Sequence, residues 1–396
     1  MPTYPLKKLS EICEISIGKT PPRGGRKFWD TEKTTSNVWL SIADLSNCDH
    51  KVISDSKEYI SDLGASLFKS VEKGTLLVSF KLTLGRLAFA GRELRTNEAI
   101  AALKIKDDKK VDKYYLYYSL SFFDWIAACK GDTKVKGRTL NKAKLREIEI
   151  PLPPLSVQEE IVAKLDSALA SIDEAKTKTQ QALAATRELW ESTLEEAFRE
   201  NNGEVKKLGE LGQITSSKRI YKKEYVKNGI PFYRIKEIKE LAHDKDISIE
   251  LYISNDRYNE IKETFGIPQE GDLLMTAVGT IGEIYTVKKD DIFYFKDGNV
   301  LWFRKFNSIN PHFLKLILLS FVENIKKLSI GSAYNALTIE KLENYTISIP
   351  SLSKQSRIVA HLDAVRAETD RLAALYEQKL ADLDELRRSV LQEAFA

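Results

Sequence analysis

The sequence predicts an α+β protein in which two similar α/β domains alternate with two long helices that pair as an antiparallel coiled coil, a pseudo-twofold internal repeat. Three observations carry this. A helix-start segment occurs twice, each copy is followed by roughly 43 residues without Pro or Gly, and the stretches upstream of the two copies share a framework.

The first domain is expected over residues 1–150. Leu76-Leu77-Val78 and Ile100–Ile105 read as short strands, and Tyr114–Ala128 reads as a helix. A long helix and linker follow over 151–204. Ile150-Pro151-Leu152-Pro153-Pro154-Leu155-Ser156-Val157-Gln158 opens it, with Ser156 and Glu159 spaced as a capping box. Ile161, Leu165, Ala168, Ile172, Ala175, Thr179, Ala182, Thr186, Leu189 and Thr193 fall at alternating steps of four and three, the spacing of a coiled-coil seam.

The second domain is expected over 205–349. Lys206-Lys207-Leu208 repeats Lys7-Lys8-Leu9, and Gly271–Thr276 resembles Gly74–Ser79. Leu273-Leu274-Met275 and Val300–Phe303 read as strands, Pro311–Leu328 as a helix. The second long helix occupies 350–396, opened by Ile349-Pro350-Ser351-Leu352-Ser353-Lys354-Gln355. From Leu155/Leu352 onward the two copies keep a constant offset of 197 through Gln158/Gln355, Asp166/Asp363, Leu189/Leu386 and Phe198/Phe395. Its seam is Ile358, Leu362, Val365, Thr369, Leu372, Tyr376, Lys379, Leu383, Leu386 and Val390. Ser356 stands where the capping-box Glu would be, so the first helix is expected to start more firmly. Each run would extend ~65 Å, and a lone helix with seams this rich in Ala and Thr is marginal in water, so the two are expected to pair.

Composition narrows the class. Net charge is +4 from 61 Lys+Arg and 57 Asp+Glu in 396 residues, and 43% of residues are hydrophobic, which argues against disorder. Cys13, Cys48 and Cys129 are far apart, as are His50, His243, His312 and His361, so neither a disulfide framework nor a zinc site is expected. The N-terminus lacks the apolar core of a signal peptide, and the oily stretch Phe313–Val322 carries Lys315 and is about half a membrane span. A cytoplasmic protein with no membrane attachment is expected.

Catalytic motifs fail on inspection. Gly18-Lys19-Thr20 imitates the end of a phosphate loop, but Cys13 stands where its first Gly is required and Pro21-Pro22 forbids the following helix. Gly279-Thr280-Ile281-Gly282 lacks the third glycine of a dinucleotide fingerprint. No nucleophile elbow or metal-binding His-Glu-x-x-His occurs. The chain is therefore not expected to be an enzyme, and it is expected to hold no catalytic residue, metal or cofactor.

What remains is a set of basic, glycine-bearing loops: Thr20–Trp29 and Lys130–Thr139 in the first domain, Ser216–Lys223 and Ser329–Asn335 in the second. Glycine lets a backbone approach a ligand, Lys and Arg meet phosphates, and Arg, Asn and Thr can address base edges. Candidate DNA contacts are Thr20, Arg23, Arg26, Lys27, Lys81, Lys134, Lys136 and Arg138 in the first domain. In the second they are Lys218, Arg219, Tyr221, Arg234, Thr280, Tyr334 and Asn335. Trp190 and Tyr376 are candidates either for the helix pair or for a partner's surface.

The doubled Pro-Leu-Ser-x-Gln helix start, Ile17-Gly18-Lys19-Thr20-Pro21 and Gly279–Gly282 resemble the specificity subunit of type I restriction-modification systems, over the whole chain. The resemblance implies two target-recognition domains, each reading one half of a bipartite asymmetric site in double-stranded DNA. It implies that the paired helices set the spacing and dock two methyltransferase subunits, through which endonuclease/translocase subunits join. S-adenosylmethionine would then belong to the methyltransferase, and ATP and Mg to the endonuclease. The second copy lacks the Pro-Pro of the first, which implies a less rigid hinge there. A stand-alone sequence-specific DNA-binding regulator, or a rod carrying two protein-binding domains, remains open to the residues alone.

Overall fold

A computed structural model describes residues 4–48, 50–129, 133–134, 137–138, 140–199, 203–328 and 338–395. The chain divides into two compact units, one of residues 1–178 with 379–396 and one of residues 179–378.

In the first unit, strands Cys13–Ile17, Ile100–Ile105, Leu76–Ser79, Leu87–Ala90 and Val52–Ile53 lie side by side in that order, all antiparallel except the last pair. Both faces are covered. Leu76, Val78, Phe89, Ala101 and Leu103 face a core with Leu116 and Leu120 of helix Lys113–Phe122. Leu77, Ala88, Ala90 and Ala102 face the other way, toward Val38, Leu40 and Leu94 of a small second layer. Two buried faces explain why these strands read as unbroken apolar runs rather than as an alternation. The helix expected over 114–128 is broken: it ends at Phe122, and Asp124 starts a new turn, Trp125–Ala128, by accepting the N–H groups of Ile126 and Ala127.

The second unit repeats this plan. Gln213–Thr215, Val300–Arg304, Leu273–Thr276 and Ile284–Thr286 form an antiparallel sheet. One face packs on helix Pro311–Leu328 through Phe313, Leu314 and Ile317, and the other on Ile238 of helix Ile235–Ala242. Each mixed domain is closed by pairing its first and last strands, Leu6–Lys8 with Glu149–Pro151 and Glu204–Lys207 with Thr346–Ile349.

The long helices run Leu155–Arg199 and Leu352–Phe395. Within each unit they are antiparallel. In the first, Lys176 pairs with Asp384 at 2.6 Å and Asp173 with Arg387 at 2.5 Å. In the second, Arg187 meets Glu377 at 3.5 Å, and the Arg366 guanidinium lies 4.9 Å from the Trp190 ring centre. Leu165, Ile172, Thr179, Thr186, Leu362 and Thr369 of the expected seams are buried. The seams are wider and partly rotated, because the helices also pack on the domains: Val162, Leu169, Leu194 and Val359 are buried, whereas Leu189, Leu386 and Lys379 are exposed.

The expected capping difference does not occur. Both helices begin one residue before Ser156 and Ser353, placing those serines inside the first turn. The start is held instead by buried glutamines. Gln158 accepts the Asp112 N–H at 2.8 Å and donates to the carbonyls of Lys110 and Pro153, both at 2.8 Å. Gln355 accepts the Asn310 N–H at 2.8 Å and donates to the Pro350 carbonyl at 2.9 Å.

Candidate nucleic-acid interface

In the first unit the chain leaving strand Cys13–Ile17 is strapped to the turn before strand Ile100–Ile105. The Gly18 N–H donates to the Ile100 carbonyl at 3.3 Å and that of Lys19 to the Thr96 carbonyl at 2.8 Å. An aromatic box then fixes the loop. Trp39 donates its indole N–H to the Lys19 carbonyl at 3.0 Å and Trp29 to that of Pro22 at 3.2 Å, with the two rings edge to face at 5.1 Å. The Arg23 guanidinium lies 4.3 and 4.9 Å from these two ring centres and forks onto the Glu58 carboxylate. Arg23 thus helps to hold the loop. Arg26 and Lys27 stand exposed on the turn Arg26–Phe28.

A second loop follows strand Leu76–Ser79. The Ser79 hydroxyl donates to the Thr83 carbonyl and accepts the Arg86 N–H at 2.9 Å, while the Gly85 N–H donates to the Ser79 carbonyl at 2.8 Å. This closes a tight loop presenting Lys81 and Leu82. Buried Phe80 anchors it, donating its N–H to the Ala99 carbonyl at 3.0 Å and accepting from Leu140 at 2.9 Å. The loops meet at Glu98. The Thr20 hydroxyl bond holds its carboxyl below the usual range, and the charges of Lys81 and Arg23 reinforce the effect. Thr20, Arg23 and Lys81 are therefore brought together. Lys134 and Arg138 lie in the paired strands Thr133–Lys134 and Gly137–Arg138. Lys136 falls outside the described residues.

The second unit builds the same turn with other side chains. The Ser216 hydroxyl donates to the Val300 carbonyl and accepts the Gly298 N–H, both at 3.0 Å, and the Lys218 N–H donates to the Tyr294 hydroxyl at 2.8 Å. Arg219 donates to the Asp297 carboxylate at 2.7 Å, so Lys218 and Arg219 flank the turn that corresponds to Glu98. The Thr276 hydroxyl donates to the Thr280 carbonyl and accepts the Glu283 N–H at 3.1 Å, closing the loop that presents Thr280. Ala277 anchors it by donating to the Asn299 carbonyl at 2.9 Å, as Phe80 does to Ala99. Tyr221 is exposed beside this strap.

Arg234 makes ion pairs within the domain. Its guanidinium holds Glu237, which is 1% exposed, at 2.7 Å and Glu250 at 2.8 Å, so it locks the start of helix Ile235–Ala242. Tyr334 and Asn335 fall outside the described residues. Lys239 was not singled out from sequence. It donates to the Thr280 hydroxyl at 3.4 Å, and a lone lysine on an amphipathic helix gives no signal of that neighbour.

Among the described residues no group of three or more His, Cys, Asp or Glu is placed to hold a metal, and burial pushes the Cys13 thiol up to about 12. No described helix is long and apolar enough to cross a membrane. What both units share is a rigid turn and two hydrogen-bonded loops that hold backbone and cationic side chains forward.

The model of the type I restriction modification DNA specificity domain matches residues 3–184 and again 200–380. The chain belongs to the type I restriction-modification specificity subunits. A Haemophilus influenzae chain provisionally named a type I restriction enzyme specificity subunit is 32% identical over 279 residues, 68% of each chain. The EcoBI specificity subunit of Escherichia coli is 25% identical over 333 residues, 76% of this chain and 68% of that one. The fold recurs in an HsdS subunit from Thermoanaerobacter tengcongensis, with a TM-score of 0.63 and 18% identity over 100% of this chain and 97% of that one. It also recurs in a chain from a study of type I R-M complex assembly, with a TM-score of 0.76 and 19% identity over 100% and 98% of the chains. A stand-alone regulator finds no support among these relatives.

Within this specificity subunit, Trp190 is settled in the second unit, where it packs on the domain core and under Arg366. The first unit has a matching dock. Phe395 lies against Tyr115 at 5.6 Å and Phe122 at 6.3 Å. Beside it, Lys51 reaches across to Asp166 of the long helix at 2.7 Å and to Tyr118 at 2.6 Å.

Proposed function

We propose that each mixed domain of this subunit reads one half of a bipartite, asymmetric site in double-stranded DNA, and that the paired long helices set the unread gap and dock two methyltransferase subunits. The chain itself is non-catalytic on this reading. S-adenosylmethionine is bound by the methyltransferase, and ATP and Mg by endonuclease subunits that join through it.

One observation carries the reading. The same hydrogen-bonded turn and loop occur in both domains but present different side chains: Thr20, Arg23 and Lys81 around Glu98 in one, and in the other Lys218 and Arg219 on the turn, Arg219 on Asp297, with Thr280 on the loop. A shared framework fixes how a loop meets a groove, while changed side chains change which base edges are met. The exposed Arg26 and Lys27 supply phosphate contacts in the first domain. A net charge of +4 gives the isolated chain little phosphate attraction, so much of the affinity comes from the assembly.

Selection of bound duplexes from a random pool by the assembled complex tests this. Two unlike half-sites separated by a fixed gap are expected, and a perfect palindrome would refute it.

A further inference from the structure

Among the described residues, Lys33, Leu82, Asp244 and Lys305 are the non-glycine positions with positive φ. Leu82, at +64°, is the apolar one of these, and it is 53% exposed. It belongs to neither core of its domain. A left-handed backbone crowds any Cβ, and a leucine this exposed gains little from burial to offset the crowding. The equivalent residue of the second loop, Gly279, holds φ of +75°. A Cβ there would have nothing within 4 Å, so the second loop has room for a side chain and does without one. The first loop instead carries leucine where glycine would relieve the strain. Strain of this kind persists where the surrounding structure imposes it, and it gathers at sites that are used.

Leu82 stands between Lys81 and Thr83 in the loop that the Ser79 hydroxyl and the Gly85 N–H close. Thr83 and Arg86 are exposed beside it, and the charges of Lys81 and Arg23 act together on Glu98. Cations around the loop suit a phosphate-bearing partner, and the apolar group that base edges offer in the major groove is the thymine 5-methyl. We infer that Leu82 reads a thymine in the half-site of the first domain by packing on its 5-methyl group. This rests on the DNA-reading role proposed above and assigns one specificity contact within it. The hydrogen bonds that close the loop hold the leucine in place before DNA arrives, so little order is lost on contact. In the second loop Gly279 leaves that place empty, and the exposed apolar side chain, Val278 at 47%, comes one residue earlier. The same loop therefore offers its apolar contact at a different point in each domain.

The test uses the assembled complex and the duplexes it selects, with each thymine of both half-sites replaced in turn by deoxyuridine, which removes the 5-methyl and nothing else. Binding is followed by fluorescence anisotropy. With the unchanged chain, deoxyuridine at one position of one half-site is expected to weaken binding about fourfold, the effect of burying one methyl group. With Leu82→Gly the thymine and deoxyuridine duplexes should bind equally at that position, while every response in the other half-site stays as it was. Leu82→Gly should also melt no lower than the unchanged chain, because glycine takes the left-handed backbone without strain. A lower melting temperature would show that the leucine packs on its own domain, and would overturn the premise. Unlike half-sites whose binding ignores every thymine methyl, or a Leu82→Gly complex that keeps the fourfold preference, would overturn the Leu82 contact and leave the reading role standing. Selection of a palindrome, or of no sequence at all, would overturn the reading role and the contact with it.

Discussion

The side-chain oxygen of Gln158, at the start of the first long helix, accepts the backbone N–H of Asp112, which in turn caps the domain helix Lys113–Phe122. One fully buried amide therefore sets the angle between a mixed domain and the helix that leaves it, and Gln355 does the same at Asn310. Gln158→Leu keeps the bulk but strands an N–H and two carbonyls. At about 1–3 kcal/mol for each unsatisfied buried group, a loss of roughly 3 kcal/mol is expected. Urea unfolding with hydrogen exchange at the Asp112 amide measures it. Unchanged exchange there would show the amide bond to be dispensable.

The Gln was visible in the sequence as part of a repeated helix start, but its work was assigned to Ser156 and Glu159. Capping boxes are read from local spacing, whereas the partner of Gln158 lies 46 residues upstream. Long-range pairing of this kind leaves no periodic trace. The strands were legible for the opposite reason: with both faces buried, Leu76–Ser79 and Leu273–Thr276 show as solid apolar runs. Seam positions were legible only where seven-residue steps persist, as at Leu165, Ile172, Thr179 and Thr186. They drift at the ends, where Phe198 and Phe395 turn toward domain helices.

Gly85 and Gly282 close equivalent loops at φ of +74° and +92°. A Cβ would lie 2.4 Å from the Trp125 ring in one and 2.4 Å from Val322 in the other. Gly85→Ala is expected to lose about 1–3 kcal/mol and to displace Lys81. Gly282→Ala should act likewise on Thr280. Methylation by the assembled enzyme should fall for both variants, and full activity would show that the loops play no part in reading.

Arg23 and Arg26 sit in one basic loop but differ in kind. Arg26→Ala with Lys27→Ala removes two exposed cations, so the salt slope of DNA binding should drop by about two with no change in melting. Arg23→Ala also takes the pair with Glu58 and the contacts with Trp29 and Trp39. It should weaken both binding and stability, and fluorescence of the two tryptophans reports the second effect. Equal melting of Arg23→Ala and the double variant would contradict the structural role of Arg23.

At Asp166, burial pushes the carboxyl up, but the hydrogen bonds from Lys51 and Tyr118 outweigh it and leave the value lowered. A carboxyl with a depressed folded value stabilises the fold above its unfolded value, about 3.9, and that contribution is lost as pH falls below it. The pair is half-exposed, so the effect should stay within about 1 kcal/mol. Acid titration of stability in the unchanged chain and in Asp166→Asn measures it, and the variant should show a shallower loss below pH 4.

Two readers on one framework is the central claim. Sequencing methylated positions in cells carrying this subunit, then in cells where residues 205–349 are exchanged for those of another specificity subunit, tests it most directly. The account predicts two unlike half-sites, of which the exchange replaces one and leaves the other and the gap unchanged. A single palindromic motif, or an exchange that alters both halves, would contradict it.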